Sequence, residues 1–467
     1  MKLKKFTAWG ALFYFLAITF AHADDRSSTS LTDWQVELQK NSLNWMLSNI
    51  SAFGTIPGSV MASDSTQNPD YRFHWKRDAA LTMDVVVSLY ENEKDPAKKE
   101  FYYNKIWDYA RLSRKLQLTH ARGGLGEPKF NSDGTSFDAD WGRPQNDGPA
   151  LEATVLIRFA KILMRERKSP VLIQELYDSK LPTNSVIKEN LEYIGREWSA
   201  DSFDLWEEVM ASRHFYTQMA MRRALADGAD LASIMGDRAA SQWYKIKVAH
   251  LDEEINRHWD QTRKIILPTM EARSVKRASG IDIAIILGVL HSYRGDKFFA
   301  ASDDRVLSTA YETEKAFKDL YPLNKGRENG IGIGRYPEDI YFGGHPWILA
   351  SNAFSELYYL VIQDWKRKSK IDCTENNLNF LKSLLSVADA QNLKAGMVIS
   401  SSDVLFTQII SALLKKADGY LKIAYEFQNP DKSLPEQIDK VSGQPVWKGN
   451  LTWSCASVLT ALSARKI

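Results

Sequence analysis

Cysteine is almost missing from this sequence: Cys373 and Cys455 are the two in 467 residues. Neither stands in a Cys-x-x-Cys pair, which argues against thiol redox chemistry. Export would permit a disulfide between them, but a chain of this size can bury a core without one. An excess of one charge is missing as well, since 60 Lys and Arg meet 58 Asp and Glu. No clustered basic face is visible, so a nucleic-acid partner is not expected. Low-complexity tracts are absent, as are a P-loop, a Gly-x-Ser-x-Gly elbow and a His-Glu-x-x-His motif. Gly330-Ile331-Gly332-Ile333-Gly334 begins like a dinucleotide loop. Arg335 occupies the place of the last glycine and no strand clearly precedes it, so the match fails. His250, Glu254 and His258 share a helical face at spacings of four, a set that could bind zinc. The charged run from His250 to Glu254 reads instead as a solvated helix face, and no metal or cofactor is expected.

Long apolar runs are missing after the N-terminus. There, Lys2, Lys4 and Lys5 precede the apolar run Phe6–Phe20, and Ala21-His22-Ala23 follows. This is the pattern of a signal peptide spanning 1–23, cleaved after Ala23. The run of 15 residues is short of the roughly 20 that span a membrane. The expectation is a secreted or periplasmic protein with no membrane attachment after cleavage. Cleavage would also remove three lysines and no acid, so the formal charge of +2 says nothing about polyanions.

Helical periodicity is abundant. Leu151, Val155, Phe159 and Ile162 fall on one face. Segments 404–414 and 453–462 behave similarly, Ser402 and Asp403 stand as caps before the first, and a helix with Pro346 in its first turn is expected. Further helices are expected near 33–50, 79–91, 103–116, 186–196, 205–224, 231–258, 281–292, 305–320, 375–388 and 417–427. Alternating β runs are few. No composition shift divides residues 24–467, so one all-α domain is expected. Its long connections, 123–148, 265–279 and 322–346, are rich in Gly, Pro, Asp and Asn, and chemistry is expected on them. The 14 Trp, 19 Tyr and 20 Phe are compatible with a sugar site, where rings stack on the apolar faces of pyranoses.

Asp204-Leu205-Trp206-Glu207-Glu208 packs three carboxylates and a Trp into five residues. By itself this could be the acidic start of a helix, favoured by the helix dipole. A Trp beside a Glu also offers the apolar wall that keeps a general acid protonated. Together with Val209, the segment resembles the signature of glycoside hydrolase family 15, the glucoamylases. Five further segments resemble that family in its order. They are Pro69-Asp70-Tyr71 with Trp75-Lys76-Arg77-Asp78, Gly124–Asn131, and Trp141–Gln145 with Asp147-Gly148-Pro149. Gly334–Asp339 with Pro346-Trp347, and Pro435-Glu436-Gln437 with Leu451–Ser454, complete the set.

The resemblance implies an (α/α)6 barrel, two concentric rings of helices. It also implies an exo-acting, inverting hydrolase that releases β-D-glucose from the non-reducing ends of α-1,4-glucans. Glu207 is then the general acid and Glu436 the general base, with Asp204 a supporting residue or, less favoured, the base itself. Arg77 and Asp78 would clamp the terminal glucose, with Arg335 and Glu208 as further polar contacts. Tyr71, Trp75, Trp141 and Trp347 would be the aromatic walls. Met210-Ala211, Asn146 and Gly343-Gly344-His345 depart from the family's common pattern, which leaves the preference among linkages open. No starch-binding module is expected after the catalytic segment, and a monomer is expected. The alternatives are another family 15 activity on α-1,6 or trehalose-type substrates, a non-catalytic glycan-binding protein, and a helical protein with no ligand.

Overall fold

The computed structural model describes residues 31–272, 277–447 and 449–466, so the segment read as a signal peptide lies outside the described residues. The helices are α1 (Asp33–Ser48), α2 (Lys76–Asn92), α3 (Pro96–Leu118), α4 (Asp147–Arg165), α5 (Pro170–Leu176), α6 (Val186–Glu197), α7 (Phe215–Ile234) and α8 (Arg238–Asn256). They continue with α9 (Ala284–His291), α10 (Asp304–Lys318), α11 (Ile348–Lys368), α12 (Leu378–Lys382), α13 (Val387–Asn392), α14 (Val404–Glu426) and α15 (Thr452–Ala464).

Contacts between helices close a ring. α2 packs on α4, α4 on α7, α7 on α9, α9 on α11, α11 on α15, and α15 back on α2. A second layer lies outside: α3 on α2, α6 on α4, α8 on α7, α10 on α9, α14 on α11 and α1 on α15. This is the (α/α)6 barrel that the family resemblance implied.

The two layers differ in burial for a physical reason. α4 buries its predicted face, Leu151, Val155, Phe159 and Ile162, but also Ala150, Ala153, Leu156, Ile157 and Leu163. A helix buried all round sits inside, between the lumen and the outer layer. α14 instead buries one stripe, Phe406, Ile409, Leu413, Ala417 and Tyr420, at spacings of three and four. Each fully buried Leu, Ile or Phe stabilises by about 1.5–3 kcal/mol, so the continuous core from Leu38 to Ala464 dominates.

Several sequence expectations need correction. The helix expected over 205–224 begins only at Phe215. Residues 204–209 are instead the turn between short strands. The segment expected as one helix over 231–258 is broken where Gly236, at φ +80, ends α7 before α8 starts. Segments 404–414 and 417–427 are one helix, and α5 was not anticipated. Pro346 precedes α11 rather than entering its first turn.

Both cysteines are buried and free, and the Cys455 thiol donates to Asn450 Oδ1 at 3.2 Å. His258 is not on a solvated face: its ring is buried, with Nδ1 on the Leu267 carbonyl and Nε2 on Gln218. His250 packs on Trp198 and Glu254 pairs with Arg213, so the three do not converge. No helix among the described residues is long and apolar enough to cross a membrane.

Candidate active site

The ring of inner helices begins at one end of the barrel, and the segments preceding those helices build a cavity there. Its volume is about 330 Å³. A second cavity of about 290 Å³ lies between the inner helices, lined by Leu151, Leu287 and Ala353, with Asp84, Arg158 and Glu356 among its polar groups. Only the first gathers the motif residues. Tyr71, Trp75, Arg77, Asp78, Trp141, Glu207, Glu208, Arg335, Trp347 and Glu436 all line it. Asp204 does not; it lies behind the wall.

Five short strands hold the walls in place. β1 (His74–Trp75) pairs antiparallel with β2 (Lys129–Phe130), and β3 (Ser202–Phe203) with β4 (Met210–Ala211). β5 (Arg213–His214) leads directly into α7. Between β3 and β4 the chain turns within 204–209. Asp204 is the organiser of that turn, because its Oδ1 accepts from the backbone N–H groups of Glu208 and Val209 at 2.8 and 2.9 Å. Its other oxygen takes Arg277 at 2.9 Å. Glu207 is thereby held at φ +65, a left-handed backbone that costs a non-glycine residue on the order of 1–3 kcal/mol.

The strained turn sends Glu207 and Glu208 to different partners. Glu207 Oε1 accepts from the Trp75 indole at 3.0 Å and from Arg77 at 3.2 Å. Glu207 Oε2 has no protein hydrogen-bond partner among the described residues. Arg77 is in turn fixed by Gln145 and Asp147 at 3.0 and 2.9 Å. Glu208 instead accepts from Arg277 and Tyr336 at 2.9 and 2.6 Å and forms an ion pair with Arg335 at 2.8 Å. Arg335 holds Asp339 through two nitrogens, a bidentate pair that fixes the guanidinium plane among Trp206, Tyr341 and Trp347.

Glu436 comes from the loop before α15 and is only 4% exposed. Gln437 Nε2 donates to its Oε2 at 2.8 Å. Its backbone carbonyl accepts from the Ile348 N–H at the start of α11, which ties the loop to the ring. Burial pushes its carboxyl up to about 7, against the pull of Gln437 and Arg335. Asp78 is pushed up to about 6, again by burial, with Arg77 opposing. The Trp206-Glu207 pair in the sequence predicts apolar surroundings for Glu207. The structure gives the deeper burial to Glu436, because Glu207 sits on a hairpin turn and Glu436 is closed in by Tyr71 and the start of α11.

The aromatic walls also contain residues the sequence reading did not assign. Tyr341 meets the Tyr71 hydroxyl at 2.7 Å. Trp206 packs on Trp347 at 5.5 Å and donates to Asp282 at 2.9 Å. Trp453 lines both cavities. Gln145 and Asp147 stood inside a quoted motif, so the signal was there. Arg277 and Tyr341 lie in polar loops with no pattern to mark them.

The comparisons agree with this geometry. The family model described as glycosyl hydrolases family 15 matches residues 40–463. The chain is 36% identical over 437 residues to a glucoamylase of Blastobotrys adeninivorans, covering 91% of this chain and 69% of that protein. It is 30% identical over 449 residues to a probable glucoamylase of Schizosaccharomyces pombe, covering 94% and 92%. Among solved structures, the family 15 glucoamylase from Hypocrea jecorina superposes with a TM-score of 0.84 at 32% identity, over 93% of this chain and 72% of that one. A glucoamylase from Saccharomycopsis fibuligera gives 0.83 at 29% identity, over 93% and 96%. A match over nearly all the described residues, on a barrel of this architecture, means that the chain belongs to family 15 of the glycosyl hydrolases and is a glycosidase.

Proposed function

We propose that the protein is an exo-acting, inverting glucoamylase that releases β-D-glucose from the non-reducing ends of α-1,4-glucans. The observation that carries the reading is one cavity lined by Glu207, Glu436 and the Trp75, Trp141 and Trp347 walls. Two carboxyl groups with different surroundings are what acid–base hydrolysis of a glycoside requires.

Glu207 is the general acid. Trp75 and Arg77 hold Oε1, and Oε2 carries the proton to the departing glycosidic oxygen. Glu436 is the general base and takes a proton from the attacking water. Burial favours its protonated form in the free enzyme, which makes it a stronger base once ionised. Positive charge growing on the sugar ring at the transition state then favours its carboxylate. Asp204 and Arg277 are supporting residues that hold the turn bearing Glu207. Asp204 is not the base, since its oxygens are occupied by two backbone N–H groups and Arg277. Asp78, Arg77, Arg335 and Glu208 contact the sugar hydroxyls.

An inverting pair stands roughly 6.5–9.5 Å apart, leaving room for the water, and a retaining pair about 5–5.5 Å. Attack opposite the leaving group turns an α-linkage into β-D-glucose. Proton NMR of maltotriose hydrolysis, read before mutarotation, should show the β anomer first. Initial α-glucose would make one carboxylate a nucleophile and end the inverting reading.

The reading includes a leader removed after Ala23, so that the exported protein begins at Asp24, which N-terminal sequencing checks. It also includes a monomer whose catalytic domain spans 24–467, which size-exclusion chromatography with light scattering checks.

A further inference from the structure

Lys129 stands in a motif that carried the family resemblance, yet neither the acid nor the base assignment uses it. It is 3% exposed and directly opposite Trp75 in the β1–β2 register. Its ammonium lies 4.0 Å from the Phe73 ring centre, 4.4 Å from Trp75, 4.0 Å from Phe137 and 3.8 Å from Trp141. The four rings also touch one another in a closed cycle. Phe73 meets Trp75 at 5.9 Å, Trp75 meets Trp141 at 5.9 Å, Trp141 meets Phe137 at 5.9 Å and Phe137 meets Phe73 at 5.2 Å. Every contact in the cycle is edge-to-face. Among the described residues Lys129 makes no hydrogen bond and no ion pair. A buried ammonium without a carboxylate partner is expensive unless ring faces replace its water.

Two of the four rings, Trp75 and Trp141, are walls of the catalytic cavity, and Phe73 and Phe137 are not among its lining residues. Trp75 also donates to Glu207. We infer that Lys129 is a positioning residue: its caged ammonium draws the four rings together, fixing the tryptophan walls and, through the Trp75 indole, the carboxyl of Glu207. The lysine occupies the cage in the way a cationic ligand occupies an aromatic cage. Removing the charge while keeping an unbranched side chain of nearly the same length should therefore loosen the walls without emptying the core.

The charge can be followed by pH. Desolvation lowers the Lys129 ammonium to about 8, opposed by the carboxylates of Glu207 and Asp70 and reinforced by Arg143. Deprotonation near that pH removes the cation from the rings.

The inference rests on Glu207 being the acid, and the two can be separated. In Lys129→Met, kcat on maltotriose should fall at least tenfold, with Tm within a few degrees of the parent. Tryptophan emission of the parent should step reversibly near pH 8, and the step should vanish in Lys129→Met. Phe137→Leu opens the cage from the side away from the cavity and should lower kcat about threefold. It keeps the test valid if Lys129→Met does not fold. Retention of kcat within twofold in Lys129→Met, or in Phe137→Leu, overturns the inference. Full activity in Glu207→Gln alongside a loss in Lys129→Met would overturn the acid assignment and leave the cage intact.

Discussion

The two sides of the cavity carry their carboxyl groups in opposite ways. On one side Glu207 sits on a strained hairpin turn, and its Oε1 is gripped by an indole N–H and a guanidinium. Behind it stand two polar groups, Arg77 with Asp147 and Gln145, and Asp204 with Arg277. On the other side Glu436 is buried with Gln437 donating to one oxygen, and burial favours its neutral form. The difference teaches that one carboxyl is oriented by hydrogen bonds and the other is tuned by desolvation. An acid must aim its proton at one oxygen of the substrate. A base must be ready to accept one, and removal from water raises its affinity for a proton.

The comparison breaks most directly if one side is dispensable. Glu207→Gln and Glu436→Gln should each lower kcat on maltooligosaccharides by about 10² to 10⁴. The double variant should be little worse than either single one, because acid and base act in one step. Near-normal turnover in either single variant would remove that residue from its role.

The next effect sharpens the contrast in orientation. Trp75→Phe keeps a ring on the wall but removes the N–H that grips Glu207. A hydrogen bond to a charged group contributes about 1.5–3 kcal/mol, so kcat should fall roughly 10- to 100-fold. Gln437→Met removes the corresponding donor from Glu436 and should cost less, since burial rather than that bond sets its state. Equal losses in steady-state kinetics would erase the distinction.

Stability gives the two sides opposite signs. A carboxyl raised to about 7 in the folded protein keeps its proton between pH 4.5 and 7, while the unfolded chain has released it. Stability therefore falls as pH rises through that window. Glu436→Gln removes the penalty and should raise stability at pH 7 by up to about 3 kcal/mol, with no gain near pH 4. Glu207→Gln removes one of the charged partners of buried Arg77, with Asp147 remaining, and should lower stability by about 1 kcal/mol. Thermal melts at pH 4 and 7 would read both. A lower Tm for Glu436→Gln at pH 7 would show that burial does not penalise its charge.

The smallest effect concerns the outer wall. Trp141 is 37% exposed, so Trp141→Ala should raise KM for maltotriose about three- to tenfold, with little change of fold. An unchanged KM would take Trp141 out of substrate binding.

Much of this was legible in the chain because motifs and periodicity are local. The helical face of Leu151, Val155, Phe159 and Ile162 identifies a helix, and ten of the residues given site roles by the family resemblance line one cavity. The turn at 204–209 looks in sequence like part of a helix, since its acidic start satisfies the same dipole rule that a helix N-terminus does. What decided it was the pairing of β3 with β4 and the capture of two backbone N–H groups by Asp204.

Sequence by itself determined the class of helices, the family and the residue types at the site, because side-chain chemistry and 3.6-residue periodicity need no partner to be read. Only the tertiary structure decided which carboxyl is buried and which is held by donors. It also brought Arg277 and Tyr341 to the site and enclosed Lys129 in four rings. These properties depend on groups far apart in the chain, and solvation and Coulomb energy follow distance in space rather than distance in sequence.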